Sequence, residues 1–189
     1  TSYDVTEDED EYYCTDLSYA FSGTNLKSVV WPATMWEVGE DALSYCTGLT
    51  SFTLGSETNE IKSRAFYGCS SLAGIALTDN ILYVDDYAFA GCTSLKSIAL
   101  PNAVETIYRN TFADCKALES VTMGSAVSDI RQHAFDGCSS LKSIELPEAL
   151  AKIGNSAFDG CSSLKAIVLP KKLRTLGEGV FEGCTGLGA

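Results

Sequence analysis

The sequence predicts a solenoid of the α/β class, a stack of 23-residue coils each carrying one parallel strand and one short helical turn. Three observations predict it. Cysteine recurs at Cys46, Cys69, Cys92, Cys115, Cys138, Cys161 and Cys184, an unbroken spacing of 23. Phenylalanine stands three residues before each of the last six, at Phe66, Phe89, Phe112, Phe135, Phe158 and Phe181, and Leu43 takes that place before Cys46. All four prolines, Pro32, Pro101, Pro147 and Pro170, fall in one column after a Leu-x-x-Ile-x-Leu stretch, where Gly55, Thr78 and Gly124 stand in other copies. A fixed period of about 20 to 50 residues marks stacked supersecondary units.

Residues 1–16 hold Asp4, Glu7, Asp8, Glu9, Asp10, Glu11 and Asp16 and no Lys or Arg, which reads as an acidic N-terminal leader or cap. A degenerate copy then runs from Ala20-Phe21 to Trp31-Pro32, with Thr24 in the cysteine column. The regular copies begin at Val38, Ile61, Val84, Ile107, Ile130, Ile153 and Leu176. Residues 17–189 therefore read as a single domain of about eight coils, the last incomplete at Gly186-Leu187-Gly188-Ala189. Because a solenoid needs a polar cap at each end, further repeats or a partner are expected to cover the C-terminal end.

Within one copy, Ile98 and Leu100 lie two apart and point to one side of an extended segment, while Ser97 and Ala99 point to the other. Pro101 has no N–H for a ladder, so it ends the strand. The Ala88-Phe89-Ala90-Gly91-Cys92 stretch is too short for a free-standing helix and is expected to form a helical or 3₁₀ turn, with Phe and Cys inward and glycine permitting the tight bend. The expected architecture is a parallel sheet on one face and turns on the other. A single coil cannot repay its own ordering entropy, so stability has to come from neighbouring pairs.

Composition narrows the function. The chain is 46% hydrophobic and carries a net charge of −12, a poor match to nucleic-acid phosphates. No apolar run approaches the roughly 18 residues of a transmembrane helix. From Lys142 to Arg174 the local sign reverses, with Lys142, Lys152, Lys165, Lys171, Lys172 and Arg174 against Glu145, Glu148 and Asp159.

Eight cysteines raise the question of disulfides or metal. Evenly spaced, seven of them are expected to stand above one another as reduced, buried thiols, small hydrophobes in a column. Tetrahedral clusters of the Cys-x₂-Cys kind do not occur, and no cofactor is expected. Cys14 lies outside the column and is the candidate reactive or paired thiol. His133 shares its column with Asp41, Arg64, Tyr87, Asn110, Ser156 and Gly179, which reads as an exposed turn position. With one such histidine and no nucleophile–base pairing, the chain is not expected to be an enzyme. The acidic run from Glu7 to Glu11 lacks the alternating ligands and glycine of a calcium loop.

The outward strand positions form the candidate binding strip: Ser51, Thr53, Ser97, Ala99, Ser120, Thr122, Ser143 and Glu145. They are small, hydroxyl-rich and, apart from Glu145, uncharged. Such a strip suits a strand, loop or glycan of a partner.

The recurring unit, best seen in Ile153-Gly154-x-x-Ala157-Phe158-x-Gly160-Cys161-Ser-Ser-Leu164-x-x-Ile167-x-Leu169-Pro170, resembles the BspA-like leucine-rich repeat, the 23-residue Treponema pallidum type. The resemblance covers about residues 17–187. It implies a right-handed leucine-rich-repeat solenoid with its parallel sheet on the concave face and short turns on the convex face. It further implies a non-enzymatic, adhesin-like module, secreted or on the cell surface, that binds a protein or glycan through the concave face. The alternative is a structural scaffold subunit of a larger assembly, joined through its ends and turn face, for which Tyr45, Tyr67, Tyr83, Tyr87 and Tyr108 are the candidate contacts.

Overall fold

The computed structural model describes residues 2–4 and 17–188. Two columns of short parallel strands run along it, joined by turns. The first column holds β1 (Ser2–Asp4), β2 (Ser28–Val30), β4 (Ser51–Thr53), β7 (Ser97–Ala99), β9 (Ser120–Thr122) and β11 (Ser143–Ile144). The second holds β3 (Glu37–Val38), β5 (Glu60–Ile61), β6 (Tyr83–Val84), β8 (Thr106–Ile107), β10 (Asp129–Ile130), β12 (Lys152–Ile153) and β13 (Thr175–Leu176). Pairing is parallel and in register by whole copies, as in Ser97↔Ser120, Ile98↔Val121 and Ala99↔Thr122. β1 pairs with β2 through Ser2↔Ser28, so the leader backbone adds a strand to the first face.

The stacked solenoid is as expected, and two of its details differ. The described residues contain no helix, α or 3₁₀. The Phe segment is instead a chain of turns, and its hydrogen bonds show why. The N–H groups of Arg64, Phe66 and Gly68 donate to Asp86, Ala88 and Ala90 of the next coil, at 2.8–3.0 Å. The intervening N–H groups of Ala65, Tyr67 and Cys69 donate three residues back, to Lys62, Arg64 and Phe66. A segment that spends every second N–H on its neighbour cannot build an i→i−4 ladder. Left-handed backbone at Arg64 (φ 58°) and Gly68 (φ 69°) interrupts helical winding as well. The second departure is the other strand column. Most copies pair in both columns, and those around Gly74 and Ala166 form no strand in the first.

The core is one spine. Phe66, Phe89, Phe112, Phe135 and Phe158 are fully buried, and their rings lie nearly parallel with centroids 5.1–5.7 Å apart. That separation exceeds the ~4.8 Å between neighbouring strands, so the rings are offset, the favoured stacked arrangement. Where Leu43 breaks the column, Phe52 covers Phe66 edge-on at 4.8 Å, and Trp31 packs on Phe52 at 5.6 Å. Ladder residues of the strands complete the spine, among them Ile61, Val84, Ile107, Ile130 and Ile153.

The proline column is explained by a close approach. Beside Gly55 and Gly124 runs the preceding coil's Pro32 or Pro101, whose carbonyl oxygen would lie 2.0–2.1 Å from any added Cβ. Glycine at 55 and 124 relieves this approach, whereas Pro147 is followed in the next coil by Pro170. The copy with Gly74 and Thr78 forms no strand in the first column, and there Ile75 and Leu77 are half-buried. In the second column no ladder joins β6 to β8. Around residues 72–107 the turn layer therefore provides most of the inter-coil bonding, through pairs such as Phe89 N–H to Thr111 O (2.9 Å).

Truncating Phe112 opens the middle of the spine and removes two stacked neighbours. Phe112→Ala is expected to cost about 3–5 kcal/mol, read as a lowered midpoint in urea unfolding. A loss below about 1 kcal/mol would contradict a spine packed in this way.

Candidate functional site

The first face presents alternate residues outward. In β4, β7 and β9 the flanking residues are exposed and the central Phe52, Ile98 and Val121 are buried. All eight residues of the predicted strip, Ser51, Thr53, Ser97, Ala99, Ser120, Thr122, Ser143 and Glu145, are exposed. The structure brings Ser97, Ser120 and Ser143 into one aligned row, with Ala99 beside Thr122. It does not join Ser51 and Thr53 to them, because the sheet lapses at Gly74–Ala76 between the two groups.

Ser120, Thr122, Ser143 and Glu145 line an open depression of about 720 Å³, together with Met123, Ser125, Leu146, Pro147 and Glu148. A second depression of about 330 Å³ shares Glu145, Leu146 and Glu148 and continues over Val168, Leu169 and Lys171. Glu148 and the apolar wall residues were outside the predicted strip. Glu148 stands one residue beyond the proline column and Met123, Leu146 and Leu169 one residue before it, so the residues flanking that column are the signal that would have found them.

The second face is chemically different. Lys62 Nζ lies 2.9 Å from Glu60 and 3.6 Å from Glu37, and its hydrogen bond to Glu60 holds its pKa above the ordinary lysine value. Burial, with Glu60 next, raises the Asp85 carboxyl. Arg131 pairs with Asp129 at 2.8 Å and lies over the Tyr108 ring at 5.9 Å. Tyr45 and Tyr67 meet edge to face at 5.2 Å, and the Arg64 guanidinium lies over Tyr67 at 5.0 Å. Of the predicted scaffold contacts, Tyr45 and Tyr83 are about half exposed, whereas Tyr67, Tyr87 and Tyr108 are partly covered.

The cysteine column contains free, buried thiols. Each Sγ donates to a carbonyl in the preceding coil: Cys92 to Phe66 (3.2 Å), Cys115 to Phe89 (3.2 Å), Cys138 to Phe112 (3.1 Å) and Cys161 to Phe135 (3.3 Å). In the degenerate copy, Thr24 donates its hydroxyl to Phe21 O at 2.7 Å. Burial pushes the Cys92 thiol up to about 12 and those of Cys115 and Cys138 well above the ordinary value. A thiol held protonated is a poor nucleophile and a poor metal ligand. Cys14 and the run Glu7–Glu11 lie outside the described residues.

His133 differs from the exposed turn position expected of it. It is half-buried rather than freely exposed, sits at φ 56°, and its Nδ1 lies 2.9 Å from Asp136 Oδ2. Asp41, in the same column, is buried against Arg64, so the column is defined by left-handed backbone and not by exposure. Among the described residues no three His, Cys, Asp or Glu side chains gather as a metal site, and no helix is long and apolar enough to cross a membrane.

Comparison with known proteins follows the same lines. The family model for the BspA type leucine rich repeat region matches residues 17–141 and 105–188, in six copies. The chain belongs to the BspA-type leucine-rich repeat family. A leucine-rich repeat protein from Eubacterium ventriosum has a similar structure, with a TM-score of 0.78 and 30% identity over 85% of this chain and 43% of that one. The chain thus spans less than half of that relative's length. The T. pallidum leucine-rich repeat protein TpLRR aligns at a TM-score of 0.69 and 28% identity, over 98% of this chain and 77% of that one. The pneumococcal vaccine antigen PcpA, 20% identical over 89% of this chain and 51% of its own, shares the fold at a TM-score of 0.55. No curated protein matches the chain. As in other repeat arrays, the family's stacked coils form an extended surface suited to interaction.

Two predictions follow from the thiol column. In the native protein no thiol of the column is expected to react with a thiol reagent, while denaturant should release all eight of the chain's cysteines, Cys14 included. A low count after unfolding would mean disulfides and overturn the reduced ladder. Above the ordinary thiol pKa of 9.0 the unfolded chain sheds protons that folded Cys92 keeps up to about 12. This contribution to stability is complete below pH 9 and falls as pH rises toward about 12. The urea midpoint should decline across that window, and less steeply in Cys92→Ser.

Proposed function

We propose that the chain is a non-enzymatic interaction module, secreted or held at a cell surface, that binds a protein or glycan ligand through its first face. One observation carries the reading. The outward residues of β7, β9 and β11 form an uncovered, hydroxyl-rich sheet face whose neighbours are all committed to the core. The non-enzymatic part is supported by the buried, protonated ladder thiols and by a single histidine engaged with Asp136. The surface or secreted location draws on PcpA, a pneumococcal vaccine antigen of the same fold.

A second reading, a scaffold subunit, is favoured by the Tyr45–Tyr67–Tyr87 row on the turn layer, with ring centroids 5.2 and 6.5 Å apart. A complex that survives high salt and engages this row would favour the scaffold.

Arginine at Ser97 and Ser120 places two bulky side chains on the exposed row while leaving the core untouched. The Ser97→Arg, Ser120→Arg variant is expected to unfold within about 0.5 kcal/mol of wild type and to lose binding to arrayed matrix proteins and glycans. Unchanged binding would remove the first face from consideration, and a wild type that binds nothing on either array would count against the module itself.

A further inference from the structure

We propose that the ligand of the first face is an extended, positively charged protein segment, seated in the trough beside Glu145 and Glu148. The inference rests on the first face being the binding surface and adds the chemistry of the partner. The two depressions share Glu145, Leu146 and Glu148, so they form one trough that crosses from Ser120 and Thr122 to Val168 and Leu169. Its floor is hydroxyl-rich at Ser120, Thr122 and Ser143, and Met123, Leu146 and Leu169 supply apolar wall.

Charge selects the occupant. Glu145 and Glu148 are both exposed, and neither is in an ion pair among the described residues. On the flank where the strands begin, Lys142 pairs with Glu119, and the exposed Lys96 and Lys165 stand in the same column without lining either depression. Lys171 lines the smaller depression, at the end away from Ser120, and pairs with neither glutamate. The larger depression therefore carries two unmatched carboxylates and no cation. An acidic glycan would be repelled there, and a neutral sugar would leave both charges unmatched. A Lys or Arg side chain matches them, and a guanidinium can bridge carboxylates with its planar fork. An extended chain rises ~3.3 Å per residue with side chains alternating, so it can set basic residues over the glutamates and apolar ones against the wall. Such exposed pairing acts chiefly on the association rate and weakens with salt.

The test uses the whole chain and a labelled peptide of about ten residues with alternating Lys and Thr, beside matched Glu/Thr and Gln/Thr peptides. Glu145→Gln with Glu148→Gln removes the two charges. Glu105→Gln with Glu178→Gln removes two exposed charges away from the trough and controls for net charge. The Lys/Thr peptide should bind wild type and the control alike, bind the trough variant roughly tenfold more weakly, and lose affinity with salt. Equal affinity for all three proteins, equal loss in both variants, or preference for the Glu/Thr or Gln/Thr peptide would overturn the proposal. If the Ser97→Arg, Ser120→Arg protein loses its arrayed ligand while the trough variant keeps it, the cationic partner falls and the first-face reading stands. If both proteins keep that ligand, the first-face reading falls with it.

Discussion

Each ladder carbonyl has two lone pairs and no water to satisfy them, and the structure meets both with one residue type. Phe66 O accepts the N–H of Cys69 in its own coil and the thiol of Cys92 in the next. The same double acceptance recurs at Phe89, Phe112, Phe135 and Phe158. A buried carbonyl left short of a partner costs energy, whereas a thiol supplies a weak donor of small volume that is content in an apolar core. Phe and Cys are therefore one device. The ring sets the spacing of the core, and the Phe carbonyl with the Cys thiol sets the register between coils.

The columns that encode this device were plain in the sequence because every copy repeats them at the same place. The parallel pairing of Ser97, Ser120 and Ser143 was legible for the same reason, since alternation over Ser-Ile-x declares which side faces inward. The second strand column was not. Its elements are two residues long, as in Tyr83–Val84, and one inward β-branched residue per copy is too little alternation to declare a strand. The missing helix has a similar cause. Ala-Phe-x-Gly-Cys fits a helical turn locally, and only the neighbouring coil, which takes the N–H groups of Phe66 and Gly68, decides otherwise. Arg64, Tyr87, Asn110 and His133 share left-handed backbone without sharing any chemistry, so side-chain identity could not announce it.

Of the candidate site, orientation was readable and shape was not. Ser97, Ala99, Ser120 and Thr122 face outward because their neighbours are core. The separation of Ser51 from that row depends on a lapse at Gly74, and the trough depends on how the return through Pro147 and Glu148 stands above the strand. Both are tertiary outcomes. The second face shows the same division. Lys62 and Asp85 are ordinary surface letters one by one; the hydrogen bond to Glu60 raises Lys62, and burial, with Glu60 next, raises Asp85.

The thiol bond between coils also has a direction. Cys115 donates back to Phe89, and every rung's thiol points the same way. Each coil's thiol completes the Phe carbonyl of the coil before it, and its own Phe carbonyl is completed in the same way by the coil after. Whole 23-residue units can be gained or lost between two rungs with no core residue changing its neighbours' chemistry. An insertion of one residue would part a thiol from its carbonyl. For such a molecule, copy number is an adjustable trait: reach along the axis can lengthen or shorten by unequal exchange of gene segments, while each surface row is free to diverge residue by residue.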